Sequence, residues 1–223
     1  MCGRFSQRSP SKKIAEKFEV EDVPPLFERY NVSPAQAVLA VRQGAGGREA
    51  VFLKWGLVPR WAKDPLIGNK LINARSETVA EKPSFREAFS RRRCLVPAEG
   101  FYEWSRQGGG RKQPLYFHMK DGEPFAIAGL WERWEGEDGP LETCTLLTTT
   151  ANELLAPHHD RMPMILRPGD YDVWLDAGVR STEQLKPLLR PYPHEEMSAY
   201  AVSHLVNNPS NEGPRCVEPI RVA

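Results

Sequence analysis

The 223-residue chain has no apolar run approaching the ~20 residues that a membrane-spanning helix requires. Its first residues, Met1-Cys2-Gly3-Arg4-Phe5-Ser6, lack the apolar stretch of a signal peptide. Four cysteines, at positions 2, 94, 144 and 216, are too few and too scattered for a disulfide scaffold or a paired-cysteine zinc site. No repeat, low-complexity tract or linker divides the chain, so one domain is expected over residues 1–223. Regular βαβ alternation is missing, which argues against Rossmann and (β/α)8 architectures. With 26% charged and 40% hydrophobic residues, the composition is that of a globular, reduced, intracellular protein.

The net charge of +1 conceals an asymmetry. Residues 1–120 carry 22 Lys and Arg against 12 Asp and Glu, whereas residues 121–223 carry 8 against 17. A surplus of 10 in one part and a deficit of 9 in the other has two readings. Either the first part presents a basic face to an anion, or the two parts neutralise each other across an internal interface.

Residues rich in Val, Ile, Leu, Phe, Tyr and Thr, bounded by Gly, Pro and Asp, predict strands over 37–41, 50–58, 93–96, 100–105, 114–119, 125–131 and 143–149. Gly44-Ala45-Gly46-Gly47 and Gly108-Gly109-Gly110 read as loop tips. Helices are fewer. One is expected over 10–18 with Ser9 as cap, and one opens toward Arg91 from the capping box Ser84-Phe85-Arg86-Glu87. Two more are expected over 170–177 and 182–189. The fold expected is α+β: a β-dominated domain with a strongly curved or barrel-like mixed sheet and peripheral helices.

Several residues could carry chemistry. Cys2 follows a Met1 that aminopeptidases remove before small residues, and its release leaves an α-amine beside a thiol. The α-amine titrates near ~7.7–8.0 against ~10.4 for Lys, so roughly a tenth is an uncharged nucleophile at neutral pH. A 1,2-aminothiol adds to an aldehyde through nitrogen and closes through sulfur to a five-membered thiazolidine. Glu103, in Gly100-Phe101-Tyr102-Glu103-Trp104, is set among aromatics whose desolvation would raise its pKa and suit it to proton donation. Its alternative is an edge-strand carboxylate in water. Asn73 and Arg75 point the same way if Leu71-Ile72-Asn73-Ala74-Arg75 is extended, and an amide beside a guanidinium suits a carbonyl and a phosphate. His159 beside Arg161 is a candidate acid or base, while the His158-His159 pair lacks the spacing of a metal site. In Lys54-Trp55-Gly56-Leu57-Val58-Pro59-Arg60-Trp61, aromatics mix with cations as in single-strand binding grooves. Trp55 reads as core and Trp61 as the ligand-facing ring.

Taken together, these segments resemble the SOS response-associated peptidase (SRAP) family. The matching pieces are Met1-Cys2-Gly3-Arg4-Phe5, Arg29-Tyr30-Asn31-Val32-Ser33-Pro34, Trp55-Gly56-Leu57-Val58-Pro59 and Asn73-Ala74-Arg75-Ser76-Glu77-Thr78. Gly100 to Trp104, His159-Asp160-Arg161-Met162-Pro163 and Val206-Asn207-Asn208 complete the set. The resemblance implies capture of abasic sites in single-stranded DNA, through a thiazolidine between the N-terminal Cys and the ring-opened sugar aldehyde. Cys2, Asn73, Glu103 and His159 would then be the catalytic residues. Gly3, Arg4, Pro34, Trp61, Arg75 and Arg161 would contact DNA, including its single-strand/double-strand junctions. The family's proposed peptidase role extends to removal of its own first residue, and lyase activity belongs to the same chemistry. A short bacterial type is implied, monomeric and cytoplasmic, acting on chromosomal DNA without metal or cofactor. Two other readings stand beside it: a thiol peptidase or amidohydrolase built on Cys2, His159 and Asn73, and a non-catalytic single-strand-binding module.

Overall fold

A computed structural model describes residues 2–105, 112–179 and 182–221; Met1 and the Gly108-Gly109-Gly110 tip lie outside them. Strand β1 (Phe5–Gln7) and helix α1 (Ser11–Phe18) open the fold, followed by β2 (Arg29–Val32) and the hairpin β3 (Ala37–Gly44) and β4 (Gly47–Trp55). Then come β5 (Asn73–Arg75), α2 (Arg86–Arg91), β6 (Arg93–Ala98), β7 (Gly100–Ser105) and β8 (Gln113–Met119). A second long hairpin joins β9 (Phe125–Gly136) to β10 (Gly139–Thr150). The chain closes with β11 (Arg161–Pro163), β12 (Ile165–Leu166), α3 (Tyr171–Leu175), α4 (Thr182–Leu185) and β13 (Met197–Ala201). No helix among the described residues is long and apolar enough to cross a membrane.

Two sheets result, and the fold is α+β with a barrel, as the sequence predicts. One is closed: β3 pairs with β4 and β6, β6 with β9, β9 with β10, and β10 returns in parallel to β4. Length makes the closure possible. The twelve residues of β10 reach β9 along one edge, and β4 and then β5 along the other. The second sheet, in the order β13-β8-β7-β1-β2, is antiparallel throughout. Strand alternation sorts apolar side chains into two cores. Val38, Ala40, Leu53 and Val96 join Phe5, Phe101 and Phe117 of the second sheet. Leu39, Val41, Leu95 and Ala128 instead meet Phe18, Phe89 and Trp174 from the helices. Gly100 is required where β7 crosses β8, because a Cβ there would lie 2.2 Å from the Tyr116 ring.

Several expectations need correction. Strand β4 stops at Trp55 because Gly56 takes φ +134° against Gly68, where a Cβ would meet a carbonyl oxygen at 2.8 Å. Both hairpins run well beyond their apolar stretches, since register carries polar residues along. The capping box is not formed: Phe85 is the N-cap of α2 and no side chain caps it. Pro10, not Ser9, precedes α1. The helix expected over 182–189 is α helical only to Leu185 and continues as a 3-10 turn containing Pro187, which lacks the donor an α-helix needs there. The charge asymmetry is largely an internal match. Arg42 pairs with Glu142, Arg48 with Asp172, Arg92 with Glu132, and Lys13 and Lys17 with Glu123.

Strand β1 is held by side chains as well as by its neighbours. The Gln7 amide donates to the carbonyls of Leu39 (3.0 Å) and Pro97 (2.9 Å) and accepts from the Leu39 N–H (2.8 Å), tying the second sheet to the barrel. Glu99, at the β6–β7 junction, accepts from the N–H groups of Arg8 (2.6 Å) and Ser9 (3.0 Å). Gln7→Ala should strand buried backbone groups and cost about 3 kcal/mol in urea denaturation. A loss below about 1 kcal/mol, the worth of a single ordinary hydrogen bond, would show that Gln7 is not the clamp between the sheets.

Candidate functional site

The arrangement begins with where β1 lies. Phe5 pairs with Val32 of β2 on one side and with Phe101 of β7 on the other, and the Tyr102 N–H donates to the Arg4 carbonyl at 3.0 Å. This register carries the residues before β1 alongside Glu103. Cys2 is fully buried, and its carbonyl accepts from the Asn73 side-chain amide at 2.8 Å. Asn73 comes from β5, which adds to β10 in parallel, opposite Leu146. The Asn73 Oδ1 is buried without a hydrogen-bond partner in the structure, an acceptor left over for a ligand N–H or O–H.

Electrostatics couple the thiol to the carboxyl. Burial, reinforced by the nearby Glu103 charge, pushes the Cys2 thiol up to about 12. Glu103 is only 5% exposed. Its pKa is raised, chiefly because burial disfavours the carboxylate, with the nearby His159 pulling the other way. The sequence places Glu103 on the Phe101 face of β7, and the structure makes it buried rather than an edge carboxylate in water. A carboxyl that keeps its proton to higher pH, next to a thiol that keeps its own, can donate to a leaving oxygen and then accept from sulfur.

His159 sits in the turn after β10, where its N–H donates to the Leu155 carbonyl at 3.1 Å. Its Nδ1 lies 2.9 Å from the Arg161 backbone nitrogen and 2.9 Å from the Asp160 carboxylate. His158 is turned to a different task. Its Nδ1 meets the Ser105 hydroxyl at 2.9 Å, tying this turn to the end of β7, and burial lowers its pKa. Cys2, Asn73, Glu103 and His159 are therefore brought together from β5, β7 and two non-strand segments far apart in the chain.

The expected DNA contacts are placed less uniformly. Arg75 is exposed on β5. Arg161 is 7% exposed and forms a two-pronged pair with Glu77 (2.6 and 2.9 Å), with a further bond to the Thr148 carbonyl at 2.6 Å. Arg4 is also buried, and its Nη1 donates to Asn31 Oδ1 (2.6 Å) and to the Val206 carbonyl (2.7 Å). Gly3 and Pro34 are half-buried. Trp61 is 59% exposed on the loop after β4, over a cleft of about 320 Å³ that includes Lys63, Leu66 and Lys70. Trp55 is core: its ring lies 5.1 Å from Phe5 and its indole donates to the Ile72 carbonyl. Sequence reasoning missed Glu77 and Asn31 as partners of the two arginines. Both stand inside the matched segments, and only their contacts set them apart.

Comparison with known proteins identifies the family. A family model described as SOS response associated peptidase (SRAP) matches residues 1–209. The abasic site processing protein YoqW of Bacillus subtilis (strain 168) is 44% identical over 222 residues, covering 98% of this chain and 99% of its own. The abasic site processing protein YoaM of the same organism is 42% identical, covering 98% of each. A solved structure of a protein from Bacteroides thetaiotaomicron superposes with a TM-score of 0.89 at 30% identity, over 99% of this chain and 100% of that one. With its fold, its matched segments and nearly its whole length in common with these proteins, the chain belongs to the SRAP family.

Proposed function

We propose that the protein processes abasic sites in single-stranded DNA, capturing the lesion as a thiazolidine on Cys2 once Met1 has been removed. The observation that carries this reading is the burial of Cys2 near enough to Glu103 for that charge to raise the thiol pKa, with the Cys2 carbonyl held by Asn73. The relatives named for abasic site processing support it. The α-amine of Cys2 adds to the C1′ aldehyde of the ring-opened sugar. Glu103, in its acid form, protonates the departing hydroxyl, and water leaves to give an iminium with Glu103 as the carboxylate. The thiol then adds to the iminium carbon. Sulfur bonds to carbon, the π pair moves to nitrogen, and the thiol proton returns to the Glu103 carboxylate, restoring its acid form. Atoms balance and nothing is oxidised. Because the thiol titrates near 12, it stays protonated at neutral pH and needs this base. His159 serves protons at the sugar end, including ring opening and reversal. Arg75 takes a phosphate, while Arg4 and Arg161, held by internal partners, shape the site from beneath. Gly3 lets the strand approach, and Trp61 and Pro34 meet bases beside the lesion. The protein works as a cytoplasmic monomer on chromosomal DNA.

A thiol-peptidase reading is less well supported. Such enzymes depress the thiol pKa with a histidine partner, whereas here burial and a carboxylate raise it.

An oligonucleotide with one abasic site should give a DNA–protein band stable to heat and denaturant, and an intact one none; a purely noncovalent complex would refute the reading. Cys2→Ala keeps the amine and loses the thiol, so only an imine trappable by borohydride should remain. Durable crosslinking by that variant without reductant would exclude sulfur.

Glu103→Gln should slow crosslinking ~10²–10⁴-fold with DNA affinity little changed. Its stability should move the other way. A carboxyl whose folded pKa lies above its unfolded value supports the fold below the unfolded pKa, and that support is lost as pH rises through the folded one. The melting temperature of Glu103→Gln should therefore exceed that of wild type at pH 7.5 and converge with it near pH 4. Equal melting at both pH values would contradict the burial argument.

Arg75→Ala should flatten the dependence of log affinity on log salt by about 0.7 for an unreactive single strand, the value of one lost phosphate contact. An unchanged slope in fluorescence anisotropy would remove Arg75 from the phosphate contacts.

A further inference from the structure

Strand β1 begins at Phe5, so β7 has no strand neighbour on that side beyond Tyr102. Glu103 lies where β7 runs past the end of β1, with the Cys2 segment in place of a strand. Restraint at this point comes from the far end of the sequence. After β13, a 3-10 turn over His204–Asn207 is capped by Ser203, whose hydroxyl accepts the Leu205 N–H at 3.3 Å. Asn207 Oδ1 accepts the Trp104 indole N–H at 2.7 Å, and the Val206 carbonyl accepts Arg4 Nη1 at 2.7 Å. Asn31 locks the same place: its Oδ1 accepts from that Nη1 at 2.6 Å. Its amide donates to the carbonyls of Val206 (3.3 Å), Asn208 (3.0 Å) and Asn211 (2.8 Å). The Arg4 guanidinium lies 5.9 Å from the centre of the Trp104 ring, so the two arms meet.

One short turn thus grips the residue two after Cys2 and the residue next to Glu103. We propose that the His204–Asn207 turn is a positioning element for the reacting pair, with Asn207 acting through Trp104 on Glu103 and Val206 acting through Arg4 on Cys2. The inference rests on Cys2 and Glu103 being the reacting groups. Neither Asn207 nor Val206 needs to touch DNA. Their effect is geometric, and a displacement of about 1 Å at a reacting group can cost about 10²-fold in rate. Burying a guanidinium against neutral acceptors is costly, so the Arg4 side chain is fixed by the few acceptors that satisfy it.

Replacing Asn31 would remove one of the two acceptors of Arg4 Nη1 and the amide that donates to three carbonyls, and would report on folding, so the test belongs to the other arm. Trp104→Phe keeps the ring over Arg4 and removes the N–H; Asn207→Ala removes the acceptor. Each single variant should slow crosslinking of an abasic single strand about tenfold or more, with affinity for an unreactive strand unchanged. Because both act through one bond, the double variant should be no slower than the slower single variant. A carbon-detected NMR titration of the Glu103 carboxyl should move to lower pH in all three variants, as the loosened strand admits water to the carboxylate. Slowings that multiply in the double variant would overturn the proposal, as would a Glu103 titration that does not move. If the wild-type protein forms no crosslink, the functional reading falls, and the carboxyl titration alone then decides the positioning role.

Discussion

The seating of residues 2–9 is the constraint on which the rest depends. A three-residue strand is too short to hold itself in a sheet, and β1 has only two neighbours with a few register pairs each. Side chains make up the difference. Gln7 reaches two elements of the barrel, Glu99 closes over the turn after β1, and Arg4 is bound by Asn31 and the Val206 carbonyl. Every one of these contacts spans a long stretch of sequence. The segment from Cys2 onward is therefore located by the finished tertiary structure, as the proposed reaction at the Cys2 amine and thiol would require.

The same placement puts cost and chemistry together. Cys2 and Glu103 are both buried, and burial raises both pKa values, so each group is held in its protonated form more firmly than in water. For folding this is unfavourable at neutral pH, since an ionisable side chain is kept where its charge is poorly solvated. For the proposed capture, in which a carbinolamine loses water and the resulting iminium receives sulfur, it would supply a proton donor that can be recharged by the thiol. Asn73 completes the pocket by binding a main-chain carbonyl rather than a side chain, leaving its own oxygen as an acceptor.

Charge serves two ends. Part of the basic surplus of the first 120 residues is matched by acids of the remainder, through pairs such as Arg42–Glu142 within the barrel and Arg92–Glu132 between the end of α2 and β9. Among the described residues, Arg75 on β5 and Lys63 and Lys70 beside Trp61 are exposed. In the proposed function an anionic strand would meet these cations and the Trp61 ring, so stacking would add to phosphate contacts in its recognition.

Local pattern alone determined a good deal. Runs of β-branched and aromatic residues between Gly and Pro marked the barrel strands. The period of two put Phe101 and Glu103 on one face of β7, and the Cys2, Asn73, Glu103 and His159 segments stood out by their chemistry. Those properties belong to neighbouring residues and need no partner to be seen. The short strands β1, β5, β11 and β12 were not legible, because two or three residues acquire strand geometry only from the neighbour that completes their hydrogen bonds. Nor was the fate of the arginines. A guanidinium at position 4 or 161 looks the same in sequence whether it faces a phosphate or Asn31 and Glu77. Only the crossing of distant strands decides, by bringing an acceptor within 3 Å and removing water from the other side.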